Sequence, residues 1–362
     1  MVFFLIIVGI IIIYGLRICA PACFNGEYLD KKNTTAVNGI FVILIVFSHY
    51  AQYAGFSGVY DTAYLLLRRH LGQAVVSPFL FYSGYGMMEA IKRKGAGYVG
   101  LLPRKSLSLL LRCDCAVLLY LLLDYAIGDQ YPATDILLAF TTWTNIGNSN
   151  WYITAVIIVY ICMFISFSIS MRAFEGRKGL AVGTVLLLMM TAAAVYLQFK
   201  AERPDYCYNT MLILPMGCLY SLTKDRIEKL VAENLLTWLL TLVAAAGLYA
   251  VSFMYRENSV LNYSLWAYLF MILLLLVTMK VKIYNKVLEW FGRHIFSIYM
   301  LQRIPMIILD HFGIVDTYKY TGLIVVFAAT VLLALGFERI TERLPGIGLN
   351  RAKNVEIPQI NG

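Results

Sequence analysis

Charge is scarce in this chain: Asp, Glu, Lys and Arg make up 14% of its 362 residues, where soluble domains carry about 25%. Hydrophobic residues make up 60% instead, which excludes an ordinary water-soluble fold. Histidine is rarer still, at four residues, and no grouping of His, Cys, Asp and Glu has the spacing of a metal site. Cys113-Asp114-Cys115 falls short of the four ligands that structural zinc requires, so no metal cofactor is expected. The seven cysteines lack an extracellular pairing pattern: Cys19, Cys23, Cys113 and Cys115 sit near the inner face assigned below, and Cys162 and Cys218 within apolar runs. They read as free, small core residues. Internal repeats, heptad runs and low-complexity segments are also missing, which removes solenoids and coiled coils.

What the chain has in plenty is apolar runs of about 20 residues, each long enough to cross a hydrocarbon core of ~30 Å as a helix. Backbone groups in lipid must be satisfied within the segment, and runs this continuous read as helices rather than the weakly alternating strands of a barrel. The fold class is all-α, a polytopic membrane bundle whose first partner is the lipid bilayer. Spans are expected near 2–19, 36–55, 70–91, 107–127, 151–171, 179–197, 207–222, 235–254, 260–279, 290–309 and 321–337, eleven in all. One alternating set of connections, with everything after 338, holds 23 of the 30 Lys and Arg; the other set holds six, and Arg303 lies inside a span. Positive residues stay cytoplasmic, so the N-terminus is expected outside and the C-terminus inside a cell membrane. The net charge of +9 is then mostly topology, and nucleic acid is not implied. No Lys or Arg precedes the first apolar run and Arg17 follows it, the reverse of a signal peptide, so residues 1–20 read as an uncleaved extra helix.

The most informative residue is His49, which ends the apolar run Ile40-Phe41-Val42-Ile43-Leu44-Ile45-Val46-Phe47-Ser48. Ionisable groups inside a bilayer are expensive and point to function. Its span starts on the inner side, so His49 lies ~20 Å from that boundary, in the outer half. Asn38 stands eleven residues earlier, three helical turns, and shares a face with His49; Gln52 and Tyr53 continue it. Such a stripe must face the bundle interior, where an imidazole suits a general base, although a histidine bonded to a neighbouring helix for packing gives the same pattern. The next span carries Ser77-Pro78-Phe79-Leu80-Phe81-Tyr82-Ser83-Gly84-Tyr85-Gly86, with Ser83 and Tyr85 offering hydroxyls at mid-depth and two glycines permitting close approach. Lys92, Arg93, Lys94, Arg104, Lys105 and Arg112 follow, the densest basic stretch of the chain. Topology explains much of it, and a polyphosphorylated cofactor suits it too.

These residues together resemble the acyltransferase-3 family: the span ending in His49, the Phe79–Tyr85 segment, the basic loop, Trp151-Tyr152 opening a later span, and Ser297-Ile298-Tyr299-Met300-Leu301 near the end. The resemblance covers about residues 33–345 and leaves 346–362 as a short cytoplasmic tail. It implies an integral membrane enzyme that moves acyl groups, usually acetyl from acetyl-CoA on the inner side, to hydroxyls of extracytoplasmic glycans. His49 would then be the base or a transient acyl carrier, with Asn38, Ser83 and Tyr85 orienting it or stabilising the oxyanion. Arg104, Lys105 and Arg112 would hold the acyl-CoA phosphates, and Trp151, Tyr152 and Gln302 would contact substrate. Two positions depart from the family. Asn38 stands where an arginine is usual, and Gln302, followed by Arg303, stands where a histidine is usual; glutamine hydrogen-bonds but does not transfer protons near neutral pH.

Two other classes stay open on sequence: an inactive relative serving as scaffold, and a transporter or flippase. The second is disfavoured because neither repeated halves nor midplane acids are present. His311-Phe312-Gly313-Ile314-Val315-Asp316 matches a His-x4-Asp spacing of soluble acyltransferases, but about one chain in nine of this composition would do so by chance. His70 and His294 fall at span boundaries, where an interfacial role is expected.

Overall fold

The structure is a computed structural model and describes residues 1–344; the expected tail at 346–362 lies outside the described residues. In chain order the elements are α1 (Val2–Tyr14), β1 (Leu16–Ile18), α2 (Lys31–Tyr50), α3 (Thr62–Leu71), α4 (Ser77–Lys94), α5 (Ala96–Val99), α6 (Leu102–Ile127), α7 (Ala133–Phe140) and α8 (Trp151–Ala173). There follow α9 (Gly176–Lys200), α10 (Ile213–Val231), α11 (Leu235–Tyr255), α12 (Val260–Lys280), β2 (Val281–Ile283), α13 (Lys286–Arg293), α14 (Ile295–Leu301), α15 (Arg303–His311), α16 (Ile314–Thr317) and α17 (Lys319–Thr341). Among the described residues, seven segments are long and apolar enough to cross a membrane: α2, α5 with α6, α8, α9, α11 with its following turn, α12 and α17. The chain is an all-α polytopic membrane protein. Helix α11 turns nearly all of its length outward, with only Ala245 and Ser252 buried, as expected of a lipid-facing helix at the edge of a bundle.

The connections collect at two ends. At one, Asp61 is buried and accepts hydrogen bonds from the Gly58 N–H (3.1 Å) and the Tyr320 hydroxyl (3.0 Å), with the Met1 amino group 3.0 Å away. Burial alone would raise its pKa, but these donors outweigh it and hold the carboxyl below its ordinary value. At the other, the buried Lys280 ammonium donates to the carbonyls of Ala20, Pro21 and Cys23 (3.2, 2.7 and 2.7 Å). Lys282 meets Glu27 there at 2.5 Å. Contacts such as Tyr50 to Lys319 and Gln73 to Tyr206 at the Asp61 end, and Lys92 to Ser221 at the Lys280 end, keep the same two sets of connections apart that the charge count separates.

Four expected spans take a different form: the one expected at 70–91 begins only at Ser77, as α4, after α3 ends at Leu71 and a 3-10 turn fills Gly72–Val76. The first helix stops at Tyr14, because Gly15 packs so tightly on the Tyr284 carbonyl that a Cβ there would stand 1.9 Å from its oxygen. The chain then pairs as β1 with β2, antiparallel, Leu16 opposite Ile283. The span expected at 207–222 begins late, at Ile213, after a 3-10 turn at Asp205–Cys207; Pro215 sits in the first turn of α10, where its missing N–H costs nothing. The span expected at 290–309 is broken into α13, α14 and α15. Pro305 explains the second break: it has no N–H to offer the Leu301 carbonyl and its ring crowds that oxygen, so the helix ends at Leu301 and restarts at Arg303.

Two close crossings fix the helices that carry the site. Gly84 of α4 and Gly217 of α10 lie against each other's helix; a Cβ would stand 1.9 Å from the Leu214 oxygen in one case and 2.1 Å from the Phe81 oxygen in the other. Backbones approach this closely only over such small residues. Gly86, by contrast, has nothing within 4 Å. The α2–α13 crossing uses Gly39 over Leu288 in the same way.

Candidate active site

Helix α2 sets two polar side chains in two different cavities. His49, near its end, lines a cavity of about 610 Å³ at the Asp61 end. Asn38 lines a second cavity of about 220 Å³ toward the Lys280 end, together with Ser83, Phe79 and Tyr152. The two residues share a face, as their spacing requires, but eleven residues of helix separate them by ~16 Å. One reacting atom cannot touch both. The cavities share Val76 and Tyr299 as walls. An aromatic series runs along the seam: His49 to Tyr299 (ring centroids 6.0 Å apart), Tyr299 to Tyr152 (5.6 Å) and Tyr152 to Phe79 (6.3 Å).

The larger cavity is polar. Tyr299 is buried, with a hydroxyl that has no protein hydrogen-bond partner, and the same holds for Nδ1 of His49. Arg303, the first residue of α15, lines the wall, where its guanidinium donates to the Gln52 amide oxygen (2.5 Å) and the Tyr53 hydroxyl (3.2 Å). Arg68 of α3 stands in the same wall. Gln302 is fully buried next to His49 and donates to the Tyr299 carbonyl at 3.1 Å. The segment between α7 and α8 supplies Asn145, Gly147, Asn148 and Ser149. It is stiffened from within: the Thr154 hydroxyl donates to the carbonyl of Thr142 (2.6 Å), a residue at φ 64, and the Asn150 amide donates to the Thr144 carbonyl (3.1 Å). Asn148 accepts from the Ile146 N–H (3.1 Å), while its buried Nδ2 has no protein partner. Trp151 also lines this cavity, with its ring 6.1 Å from that of Tyr206.

The residues singled out from sequence are therefore divided. His49 and Trp151 meet in the larger cavity, Asn38, Ser83 and Tyr152 in the smaller, and Gln302 lies beside His49. Tyr85 lines neither: it faces Tyr220, ring centroids 6.4 Å apart, on the α10 side of α4. Arg104 is exposed at the Lys280 end, Lys105 donates to the Tyr98 hydroxyl (2.8 Å) and lies over its ring, and neither of them nor Arg112 lines either of these two cavities, although Leu109 on their helix lines the smaller one. His311 and Asp316 are exposed outside both cavities. His70 stacks on Phe253 (4.7 Å), and His294 meets Glu338 at 2.5 Å, the carboxylate that also accepts from Ser297 (2.7 Å). Sequence reasoning missed Arg68 and Tyr299. A signal for Arg68 existed, since it sits in the cation-poor set of connections, where topology gives no reason for it.

Among the described residues, no group of His, Cys, Asp and Glu is placed to hold a metal ion. A family described as an acyltransferase domain, acyltransferase-3, matches residues 35–339, a stretch that holds every lining residue of both cavities. No curated protein and no solved structure matches the chain. With most of its length matched, the chain belongs to the acyltransferase-3 family.

Proposed function

We propose that this membrane acyltransferase transfers an acyl group, most simply acetyl, from cytoplasmic acyl-CoA to a hydroxyl of an extracytoplasmic glycan. The observation that carries the reading is the pair of cavities lying toward opposite ends of the bundle and sharing Val76 and Tyr299 as walls, with His49 in the larger one. The charge bias supports a cytoplasmic Lys280 end. Acyl-CoA enters there, with its phosphates held by the cations of the α5–α6 region, Arg104, Lys105 and Arg112 as the first candidates. Its pantetheine arm lies in the smaller cavity along Asn38 and Ser83, whose side chains offer hydrogen bonds to the arm's amides. The thioester carbonyl reaches the Tyr299 seam.

In the larger cavity the acceptor hydroxyl approaches His49, which takes its proton as the oxygen attacks the thioester carbon. The negative charge that develops on the carbonyl oxygen is met by the Tyr299 hydroxyl, which spends no hydrogen bond elsewhere in the protein. The carbon–sulfur bond then breaks, the CoA thiolate takes the proton back from the imidazolium, and the ester leaves by the Asp61 end. Gln302 orients the imidazole and moves no proton. Asn38, set ~16 Å from His49, acts on the donor and not on the oxyanion; Tyr85 has no part.

The test is reconstitution in sealed vesicles with labelled acetyl-CoA on the Lys280 side and a mixed glycan pool on the other. Ester formation dependent on His49 is expected. Transfer that survives His49→Ala, or thiol labelling that places residue 100 on the extracytoplasmic side, would sink the proposal.

A further inference from the structure

We propose that the acceptor is anionic: a sugar or polyol unit whose carboxylate or phosphodiester is gripped by Arg68 and Arg303 while a neighbouring hydroxyl meets His49. The inference rests on the acyl-transfer reading for the identity of the cavity, but its argument is electrostatic. The 610 Å³ cavity is lined by two arginines and by no aspartate or glutamate. Among the described residues, neither arginine forms an ion pair; Arg303 spends two hydrogen bonds on the neutral Gln52 and Tyr53, and its buried Nε has no partner. Two half-buried guanidinium groups with no acid beside them form a positive site that favours a ligand supplying the opposite charge. They also lie at the end of the bundle where cations are rare, so membrane topology does not account for them.

A second, independent observation points to an oxygen-rich ligand. Asn148, a residue only 4% exposed, lines the same cavity, and its buried Nδ2 has no protein acceptor, while its oxygen is held by the Ile146 N–H. Guanidinium forks match carboxylate and phosphate oxygens two at a time, which orients the bound unit as well as holding it. Trp151 and Tyr206 add flat apolar faces for a sugar ring. The volume falls within the ~300–1,000 Å³ of ordinary small-molecule sites, enough for a short segment of a charged polymer rather than one isolated ion.

The experiment measures binding without acyl-CoA, so that it stands even if acyl transfer is absent. Full-length protein in zwitterionic nanodiscs is titrated with trigalacturonate, with its neutral methyl ester, and with a glycerol phosphate trimer. Either anionic oligomer is expected to bind at least about tenfold more tightly than the ester at low salt, the gap closing as salt screens it. Arg68→Gln and Arg303→Gln should each remove most of that gap while leaving ester binding alone. Arg68→Lys and Arg303→Lys, which keep the charge in a smaller head, should keep part of it and serve if the glutamine variants do not fold. Equal affinity for trigalacturonate, phosphate trimer and ester would overturn the inference. So would a preference untouched by the arginine substitutions. A third overturning result is that phosphatidylglycerol in the nanodisc occupies the site and abolishes oligomer binding, which would make the arginines readers of a lipid headgroup. Anionic preference without any acyl transfer would leave this inference standing and remove the enzymatic one.

Discussion

The larger cavity is walled by two arginines, a histidine and several side-chain amides; the smaller has Asn38 and Ser83 set among Phe79, Tyr152, Val156 and Tyr160. Both are cut into one bundle and share Tyr299, yet the first is built to hold charge and the second to hold a mostly apolar arm. The difference teaches where each substrate's binding energy arises. In the larger cavity the charged groups line the walls beside His49, whereas the cations around α5 and α6 line neither cavity. On the proposed function, specificity for the acceptor is local to the chemistry and affinity for the donor is remote from it.

The largest effect expected from breaking this contrast is at His49. His49→Ala should lower kcat by ~10²–10⁴-fold while acceptor and acyl-CoA binding stay within a few-fold of the parent, as measured by turnover and equilibrium binding on the same preparation. Unaltered turnover would reduce the larger cavity to a binding site.

Next comes the remote donor grip. Neutralising Arg104, Lys105 and Arg112 together should raise the acyl-CoA KM by about tenfold or more, most strongly at low salt, since charge-assisted hydrogen bonds contribute ~1.5–3 kcal/mol each when desolvated and less when wet. Lys92, Arg93 and Lys94 still hold the loop on its side of the membrane. Adding Asn38→Arg should restore part of the loss, because it moves one cation into the smaller cavity itself. An unchanged KM in the triple variant would show that the donor phosphates are held elsewhere.

Two smaller substitutions sharpen the division. Trp151→Ala should raise the acceptor KM by about three- to tenfold and leave the acyl-CoA KM as it was. Ser83→Ala should do the opposite and more weakly, about two- to tenfold on acyl-CoA, the scale of one neutral hydrogen bond. Steady-state kinetics with each substrate varied in turn decides both, and a crossed result, Trp151 acting on the donor or Ser83 on the acceptor, would contradict the assignment of the cavities.

Much of the architecture was legible because apolar runs report membrane helices directly: α8, from Trp151, and α12, from Val260, start within a residue of the expected positions. The polar stripe on α2 was legible too, since helical periodicity places Asn38 and His49 on one face without reference to the rest of the chain. What periodicity cannot supply is the distance between faces of different helices. The sequence therefore grouped Asn38, Ser83, Tyr85 and His49 in one site, while the fold divides three of them between two cavities and turns Tyr85 away. The direction of α4 is decided by Gly84 lying on Leu214, which points Ser83 into the smaller cavity and leaves Tyr85 to Tyr220. The run at 290–309 reads as one span because it is mostly apolar; Gly292 stands near its first break and Pro305 just beyond its second, and Arg303 opens the last piece in the wall of the larger cavity. Tyr299 resembles any aromatic core residue in sequence, and only the meeting of two cavities on its ring distinguishes it.

Tyr299 and Val76 also have a duty that has nothing to do with acyl groups. Where chambers reached from opposite sides come within one side chain of each other, that side chain is the insulation of the membrane at that point. A potential of 100 mV is worth about 2.3 kcal/mol for each charge that crosses, so even a thread of water through the seam would drain it. Paired Tyr299→Gly and Val76→Gly substitutions are expected to make sealed vesicles leak protons, read with an internal pH dye, whereas His49→Ala vesicles hold their gradient. The bulk at this seam is thus under electrical as well as chemical constraint: a protein free to widen it for faster transfer would discharge the membrane it sits in.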